Sequence, residues 1–136
     1  MDNKKEFVNE VFDLAVFENT EMQSAVFNDV NLFCSVFENS CLDSVTFSEL
    51  SMEKTSFEDV NLQQSTFKSI NLEKIKVKSY SLEDSIFKNG SMKNMQIANT
   101  DLSNTEFVNC HYEGMKIDGF DISELIKKAK EEAESE

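Results

Sequence analysis

The stretch VFNDVNLFCSVFENSCLDSVTFS, residues 26–48, carries a large apolar residue at every fifth position. These residues are Phe27, Leu32, Phe37, Leu42 and Phe47. The period runs without a break from Phe7 to Ile122, through 24 positions that are all apolar or aromatic. Since only 40% of the chain is apolar, chance gives such a run with a probability of roughly 10⁻⁹, and a fixed period of this kind marks a repeat architecture.

A period of five residues fits neither an α-helix nor a straight β-strand. On a helix, successive members of the series would lie about 140° apart and spread over every face. On a strand, they would alternate between opposite faces. The apolar residues can share one interior only if the chain turns a corner every five residues.

A longer period of 20 residues gives the number of sides. One series of every twentieth residue is phenylalanine throughout: Phe7, Phe27, Phe47, Phe67, Phe87 and Phe107. Another has no aromatic member: Met22, Leu42, Leu62, Leu82, Leu102 and Ile122. Four sides of five residues therefore make one coil, and about six coils at the ~4.8 Å strand spacing give a rod about 29 Å long. The position two residues before each central one is mostly small or apolar, and we expect it to point inward as well.

These pentads resemble those of the pentapeptide-repeat proteins, whose consensus is roughly Ala-Asp/Asn-Leu-x-x. The resemblance covers about residues 5–124. The consensus Asn or Asp before the central residue is kept at Asn31-Leu32, Asn61-Leu62, Asn71-Leu72, Asp101-Leu102 and Asp121-Ile122. The resemblance implies an all-β fold, a right-handed quadrilateral parallel β-helix, in which each coil contacts only its neighbours.

The repeats are expected to occupy residues 1–122, followed by a short C-terminal α-helix over residues 123–136. Asp121 and Glu124 have the spacing of a helix capping box. Leu125, Ile126 and Ala129 follow an apolar stripe at helical spacing. We expect this amphipathic helix to pack over the last coil, with a dimer contact as the alternative.

Apolar residues at outward positions mark the other end of the rod. They are Val8, Val11, Leu14 and Val16. Residues 2–11 also fit a helical face, so residues 1–11 are either the first coil, covered by a partner chain, or an N-terminal cap outside the β-helix.

The last position of each pentad is expected to set the geometry of the corners. It is Asn or Gly in seven consecutive pentads, from Asn89 to Gly119, and both tolerate the left-handed conformation that a type II turn needs. Between residues 24 and 84 it is mainly Ser, Asp, Cys, Glu, Lys or Gln, which suit type I-like corners. The sequence therefore predicts a change of corner type along the rod.

The composition disfavours several classes of function. A net charge of −13 argues against direct binding to nucleic acid or to anionic membranes. Three cysteines (Cys34, Cys41 and Cys110) at irregular spacing indicate a reducing, cytoplasmic location. There is no arginine and only one histidine, His111. Without a triad, a metal cluster or a Gly-rich phosphate loop, the sequence predicts no enzyme, no metal and no cofactor.

Charge is distributed unevenly along the chain. From Glu6 to Glu53 there are ten acidic residues and no lysine, whereas residues 68–93 hold six lysines and three acidic residues. Glu18, Glu38 and Glu58 share one outward position on successive coils, and such like-charge ladders are locally unfavourable. We therefore expect this acidic face to bind a protein, with a merely solvated surface as the alternative. Direct DNA binding by the lysines is opposed by the net charge and the missing arginine.

The family resemblance adds a candidate target. Some pentapeptide-repeat proteins look like B-form DNA in width and charge, bind type II topoisomerases such as gyrase, and give resistance to quinolones. This chain shares the acidic rod, but it is short, basic in the middle and without the loops of one quinolone-resistance branch. The resemblance implies a non-enzymatic protein-binding rod with DNA gyrase or topoisomerase IV as the candidate partner.

Two further expectations complete this interpretation. The alternative function is a general scaffold or interaction module without topoisomerase activity. Extended DNA mimicry would require a homodimer joined through one rod end, and the outward apolar residues favour the N-terminal end.

Overall fold

The structure is a β-solenoid of about six coils, as the 20-residue period predicts, and it ends in a C-terminal helix. It is a computed structural model and describes residues 5–79 and 81–135. The strands are β1 (Glu6–Val8), β2 (Val16–Glu18), β3 (Val26–Asn28), β4 (Val36–Glu38), β5 (Thr46–Ser48), β6 (Ser56–Glu58), β7 (Thr66–Lys68), β8 (Lys76–Lys78), β9 (Ile86–Lys88), β10 (Gln96–Ile97), β11 (Glu106–Val108), β12 (Lys116–Ile117) and β13 (Phe120–Asp121). The helix α1 is Ile122–Glu134.

Two opposite sides of the rod are parallel sheets. Side 1 has the order β1-β3-β5-β7-β9-β11, and side 3 stacks β2, β4, β6, β8, β10 and β12 in the same way. Neighbouring strands pair in a register of 20 residues, so Phe7 faces Phe27 and Phe17 faces Phe37. The predicted coil length is therefore confirmed on both sides.

The other two sides are narrower and consist of isolated parallel bridges followed by turns. Side 2 begins at Val11 in the first coil, and side 4 begins at Glu21. On side 2 the turn is closed by a bond from the Ala15 N–H to the Phe12 carbonyl oxygen, 3.0 Å. Residue 14 of that turn has a φ of 61°, which is the geometry of a type II turn.

Phenylalanine side chains from sides 1 and 3 fill most of the first half of the core. Within side 1 the rings stack, with centroids 4.9 Å apart for Phe27 and Phe47. Across the core the rings meet edge to face, with Phe27 and Phe37 centroids 6.2 Å apart. Both arrangements suit the charge distribution of aromatic rings, and both follow from placing large residues on opposite sides of a square.

Corner geometry does not change along the rod, so the sequence-based expectation of two corner types is wrong in part. Asn89 and Gly114 do have positive φ, 57° and 75°, as predicted. Glu49, Lys54 and Lys74 have positive φ as well, between 53° and 60°. The stacked coils impose the left-handed conformation at each such corner, because a neighbouring coil fixes the corner N–H groups through hydrogen bonds.

The N-terminal segment joins the β-helix within the residues that the structure describes. Glu6, Phe7 and Val8 form β1, which pairs with β3. The proposed cap over residues 1–11 therefore includes residues that lie in the first coil, while its first four residues lie outside the described part of the chain.

The parallel stacking ends at a hairpin. β13 runs antiparallel to β12, and the connecting residues Asp118 and Gly119 both have positive φ, 49° and 84°. An Asp-Gly pair of this conformation is the preferred two-residue hairpin turn. The hairpin directs the chain into α1, whose N-cap Asp121 accepts a hydrogen bond from the Glu124 N–H, 3.1 Å. The Asp121 half of the predicted capping box is therefore confirmed.

Candidate protein-interaction surface

The carboxylates of Glu18, Glu38 and Glu58 form a ladder on side 3. Each residue ends a strand whose central phenylalanine points inward, so its own side chain points out. The register pairs Glu18 with Glu38 and Glu38 with Glu58, about 4.8 Å apart along the rod. The structure therefore brings the three predicted site residues into one row.

The ladder is bounded by lysine in the C-terminal direction. Lys78 occupies the next place in the row after Glu58, and Lys76 lies at the opposite end of the same strand, β8. In the N-terminal direction the row ends at the edge of the sheet, because β2 is the last strand of side 3. The acidic row therefore extends over the first three strands of this side.

One further carboxylate, that of Asp59, widens the row at the corner between sides 3 and 4. Glu38, Asn39, Glu58 and Asp59 line a shallow depression of about 130 Å³. Within residues 5–79 and 81–135 no three or more His, Cys, Asp or Glu side chains are arranged to hold a metal ion. The carboxylates of Glu58 and Asp59 are exposed to solvent, and that of Glu38 is partly exposed.

The six lysines between residues 68 and 93 do not share one face. Lys68 and Lys88 are neighbours on side 1, Lys76 and Lys78 lie on side 3, and the remaining two are at the turns of side 2. They form a belt around three sides of the rod, which differs from the single basic stripe that duplex binding uses.

Four apolar side chains surround part of the first coil and are largely exposed. The exposed fractions are 46% for Val8, 69% for Val11, 70% for Leu14 and 62% for Val16. The rings of Phe7, Phe12 and Phe17 beneath them are only partly buried. The N-terminal end of the rod therefore presents a cluster of apolar residues, as the sequence predicts.

The C-terminal helix covers less of the last coil than expected. Ile122 and Ile126 are half-buried, but Leu125 is 48% exposed and Ala129 is exposed too. None of the residues of α1 is fully buried. Because the hairpin before it sets its direction, only the first turns of the helix contact the rod.

An apolar cavity remains at this end, which sequence reasoning missed. Its volume is about 290 Å³, and its lining includes Phe107, Tyr112, Ile122 and Ile126. Phe107 was expected in the core, yet it is 38% exposed, because no further coil of side 1 follows it in the described chain.

One of the three cysteines, Cys41, has an altered thiol pKa. The Cys41 thiol donates to a carboxylate oxygen of Asp43, 3.0 Å, and burial, followed by this hydrogen bond, raises the pKa of the thiol. A raised pKa leaves little reactive thiolate at neutral pH. Cys110 packs partly against the core, and all three cysteines are free thiols.

Comparison with known proteins supports the repeat assignment. The sequence profile of pentapeptide repeats, in eight copies, matches residues 11–49. No curated protein sequence matches the chain. The one helix of the described residues is too short and too polar to cross a membrane.

Three solved structures show the range of similarity. Rfr23, a pentapeptide repeat protein from the cyanobacterium Cyanothece 51142, is 14% identical, with coverage of 83% of this chain and 87% of that chain and a TM-score of 0.40. QnrB1, a plasmid-mediated fluoroquinolone resistance protein, is 11% identical. The match covers 93% of this chain and 96% of QnrB1, with a TM-score of 0.22. HetL, a pentapeptide repeat protein from the cyanobacterium Nostoc that is involved in heterocyst differentiation regulation, is 8% identical. The match covers 87% of this chain and 94% of HetL, with a TM-score of 0.24. The repeat profile therefore identifies residues 11–49 as pentapeptide repeats, and the same 20-residue coil continues through the rest of the described rod.

Proposed function

We propose that the protein is a non-enzymatic binding module whose acidic N-terminal half engages a basic surface of another protein. The observation that carries this proposal is the in-register row of Glu18, Glu38 and Glu58. Carboxylates held one strand spacing apart repel one another, and a cationic partner surface removes that repulsion. A cytoplasmic location is part of the proposal, since its free thiols suit a reducing compartment.

The charge density of this half supports a nucleic-acid-binding protein as the partner. Ten carboxylates lie from Glu6 to Glu53, which is about two and a half coils or roughly 12 Å of rod at the strand spacing. That is about one charge per 1.2 Å, against one per about 1.7 Å in duplex DNA. The acidic half of the rod thus matches a short piece of duplex in linear charge, and the DNA-binding surface of gyrase or topoisomerase IV is the partner we propose.

A second candidate function follows from the lysine belt. The acidic row stops at Lys78, so one chain offers only a short acidic segment. A module that presents acidic and basic surfaces at different heights can bind partners other than topoisomerases. This scaffold function predicts binding that does not depend on the Glu18–Glu58 row.

Charge reversal separates the two functions. The triple variant Glu18→Lys, Glu38→Lys, Glu58→Lys is compared with Glu131→Lys, Glu132→Lys, Glu134→Lys, which changes the net charge equally at exposed helix positions. Binding of each to purified gyrase and topoisomerase IV is measured by surface plasmon resonance, with circular dichroism as a folding control. We expect loss of binding only in the first variant, together with loss of any inhibition of supercoiling.

Two outcomes would contradict the topoisomerase proposal. One is an unmodified protein that neither binds these enzymes nor alters supercoiling at micromolar concentration. The other is equal loss of binding in both triple variants, which would show that binding depends on the net charge of the protein and not on the acidic row.

A further inference from the structure

The first strand of side 1 has a free edge. The Lys5 carbonyl oxygen and the Asn9 N–H both bond to β3. In a parallel ladder alternate residues bond to the same neighbour, so the N–H and C=O groups of Glu6 and Val8 point away from β3. In the described part of the chain no strand pairs with this edge.

The first strand of side 3 has the same kind of edge. The Ala15 carbonyl oxygen and the Asn19 N–H bond to β4, so the backbone groups of Val16 and Glu18 face the N-terminal end. Free strand edges are templates for pairing with another chain. Here two such edges and a cluster of apolar side chains lie at one end of the same rod.

The side chains at this end divide into two groups. The apolar ones border side 2: Val8, Val11, Leu14 and Val16. The outward carboxylates that border side 4 are Glu6, Glu18 and Glu21. On that side the Lys5 ammonium group donates to the Glu21 carbonyl oxygen, 3.0 Å. The apolar surface is therefore concentrated next to side 2, where the exposed carboxylates of Glu10 and Asp13 lie among the apolar side chains.

The rise of the chain along the rod axis favours one relative orientation when two N-terminal ends join. The chain rises about 4.8 Å per coil, so β1 lies about 2.4 Å nearer the end of the rod than β2, half a coil later. A twofold axis through side 2 places β1 of one copy against β2 of the other. The protruding strand then meets the recessed one at both contacts, whereas pairing β1 with β1 would bring two protruding strands together.

We propose that two copies of the chain join head to head through their first coils about this axis. The free edge of β1 in each copy pairs antiparallel with β2 of the second copy. The pairs with mutual hydrogen bonds are Glu6 with Glu18 and Val8 with Val16, the four residues whose backbone groups face the N-terminal end of the described rod. Val11 meets Val11 of the second copy on the axis, and Phe7 meets Phe17 in the core.

The pairing accounts for the exposure of Val8, Val11 and Val16, and its size predicts how strongly the copies associate. Val8 and Val16 cover each other, as cross-strand apolar pairs do in antiparallel sheets. The end of one coil is smaller than the ~800 Å² per partner of a standard interface, so we expect a dissociation constant of roughly micromolar order. The facing carboxylates of Glu6 and Glu18 repel, so salt should strengthen the association by screening them.

Cross-linking tests the axis. Val11→Cys should give a disulfide-linked dimer within minutes under mild oxidation, because the two residues meet on the axis. Ser51→Cys is the matched control, since residue 51 holds the same place on side 2 two coils away. Unmodified protein sets the baseline for the native cysteines. Dimer formation by Ser51→Cys equal to that of Val11→Cys would overturn the proposed axis.

Sedimentation equilibrium tests the interface without covalent chemistry. Val16→Lys should weaken the dimer by at least about tenfold. Gln96→Lys, at the same pentad position of side 3 but four coils away, should leave it unchanged, and so should Leu125→Lys on the exposed helix. A monomer at all concentrations, or a dimer that only Leu125→Lys disrupts, would overturn the proposal.

These measurements of dimer formation can be interpreted independently of the proposed function. It uses the purified chain alone, and its salt dependence has the opposite sign to that of binding to a basic partner, which salt weakens. A chain that dimerises but binds no topoisomerase, or the reverse, would therefore be recognised.

Discussion

Lys74 shows how the coil overrides the preference of a single residue. Its φ is 60°, a conformation that costs most L-residues about 1–2 kcal/mol. Its N–H donates to the Lys93 carbonyl oxygen of the next coil, 3.0 Å, and this bond fixes the corner. The repeated backbone ladder stabilises a local conformation that the side chain itself disfavours.

Lys74→Gly should therefore stabilise the protein by up to about 1 kcal/mol, since glycine adopts positive φ without the steric penalty. Lys76→Gly is the control, because it removes the same charge from an exposed strand position and should cost about 0.5–1 kcal/mol. Urea unfolding followed by circular dichroism measures both. Equal destabilisation by the two variants would contradict this account of the corners.

Phe47 lies at the centre of the aromatic core. Its ring stacks on Phe27 and Phe67 with centroids 4.9 and 5.1 Å away, and it is fully buried. Phe47→Ala should lower the free energy of unfolding by about 3–5 kcal/mol, as large core truncations do. Phe33→Ala, at an outward position, should cost less than about 1 kcal/mol. Urea titrations of both variants check the difference.

At the scale of the element, buried hydroxyl groups join successive coils. Thr55 Oγ1 donates to the Leu32 carbonyl oxygen at 2.7 Å, and Ser85 Oγ donates in the same way to Leu62 at 2.7 Å. The accepting carbonyl belongs to the turn of the preceding coil. These inward hydroxyl groups therefore form hydrogen bonds between coils, and their side chains are small enough to fit at the second inward position.

Thr55→Val tests this contribution with little change in shape. It should cost about 0.5–1.5 kcal/mol, the net worth of a typical hydrogen bond. Thr46→Val, on the outer face of β5, should be nearly neutral. Thermal melts of the two variants give the comparison, and equal melting temperatures would show that the buried bond contributes nothing.

The acidic ladder should reduce the stability of side 3. Like charges opposite one another in a sheet destabilise by a few tenths of a kcal/mol to about 1 kcal/mol, and Glu38 has a carboxylate on each side. Glu38→Gln should therefore raise the free energy of unfolding by roughly 0.5 kcal/mol at low salt, and by less at high salt. Glu132→Gln, on the exposed helix, serves as the control. A gain in the control equal to that of Glu38→Gln would point to net charge instead.

At the scale of the whole molecule, stability should fall toward both ends. The middle coils bury their core residues completely, whereas the first coil and α1 do not. A 13-residue helix without packing is marginal in water. We expect amide hydrogens of residues 127–134 to exchange fastest and those of β5 and β7 slowest, as hydrogen-exchange mass spectrometry can measure. Equal protection of the helix and the middle coils would show that the helix is packed in solution.

The sequence by itself determined the coil, because a period of five with a superposed period of 20 leaves one arrangement that buries every large residue. It also determined the row of Glu18, Glu38 and Glu58, since a fixed coil length places every twentieth residue in register. The cap of α1 was predictable for a similar reason, because it depends only on local spacing.

Only the tertiary structure decided features that depend on the neighbouring coil. Positive φ at Glu49 and Lys74 comes from interstrand hydrogen bonds, which residue preferences do not contain. The absence of a side chain at Gly90 has the same origin, since a Cβ there would lie 2.6 Å from the Ile70 carbonyl oxygen. The direction of α1 depends on the hairpin at Asp118 and Gly119, so its exposed apolar stripe could not be predicted. Periodicity sets which residues stack, while contact between stacked coils sets how the backbone accommodates them.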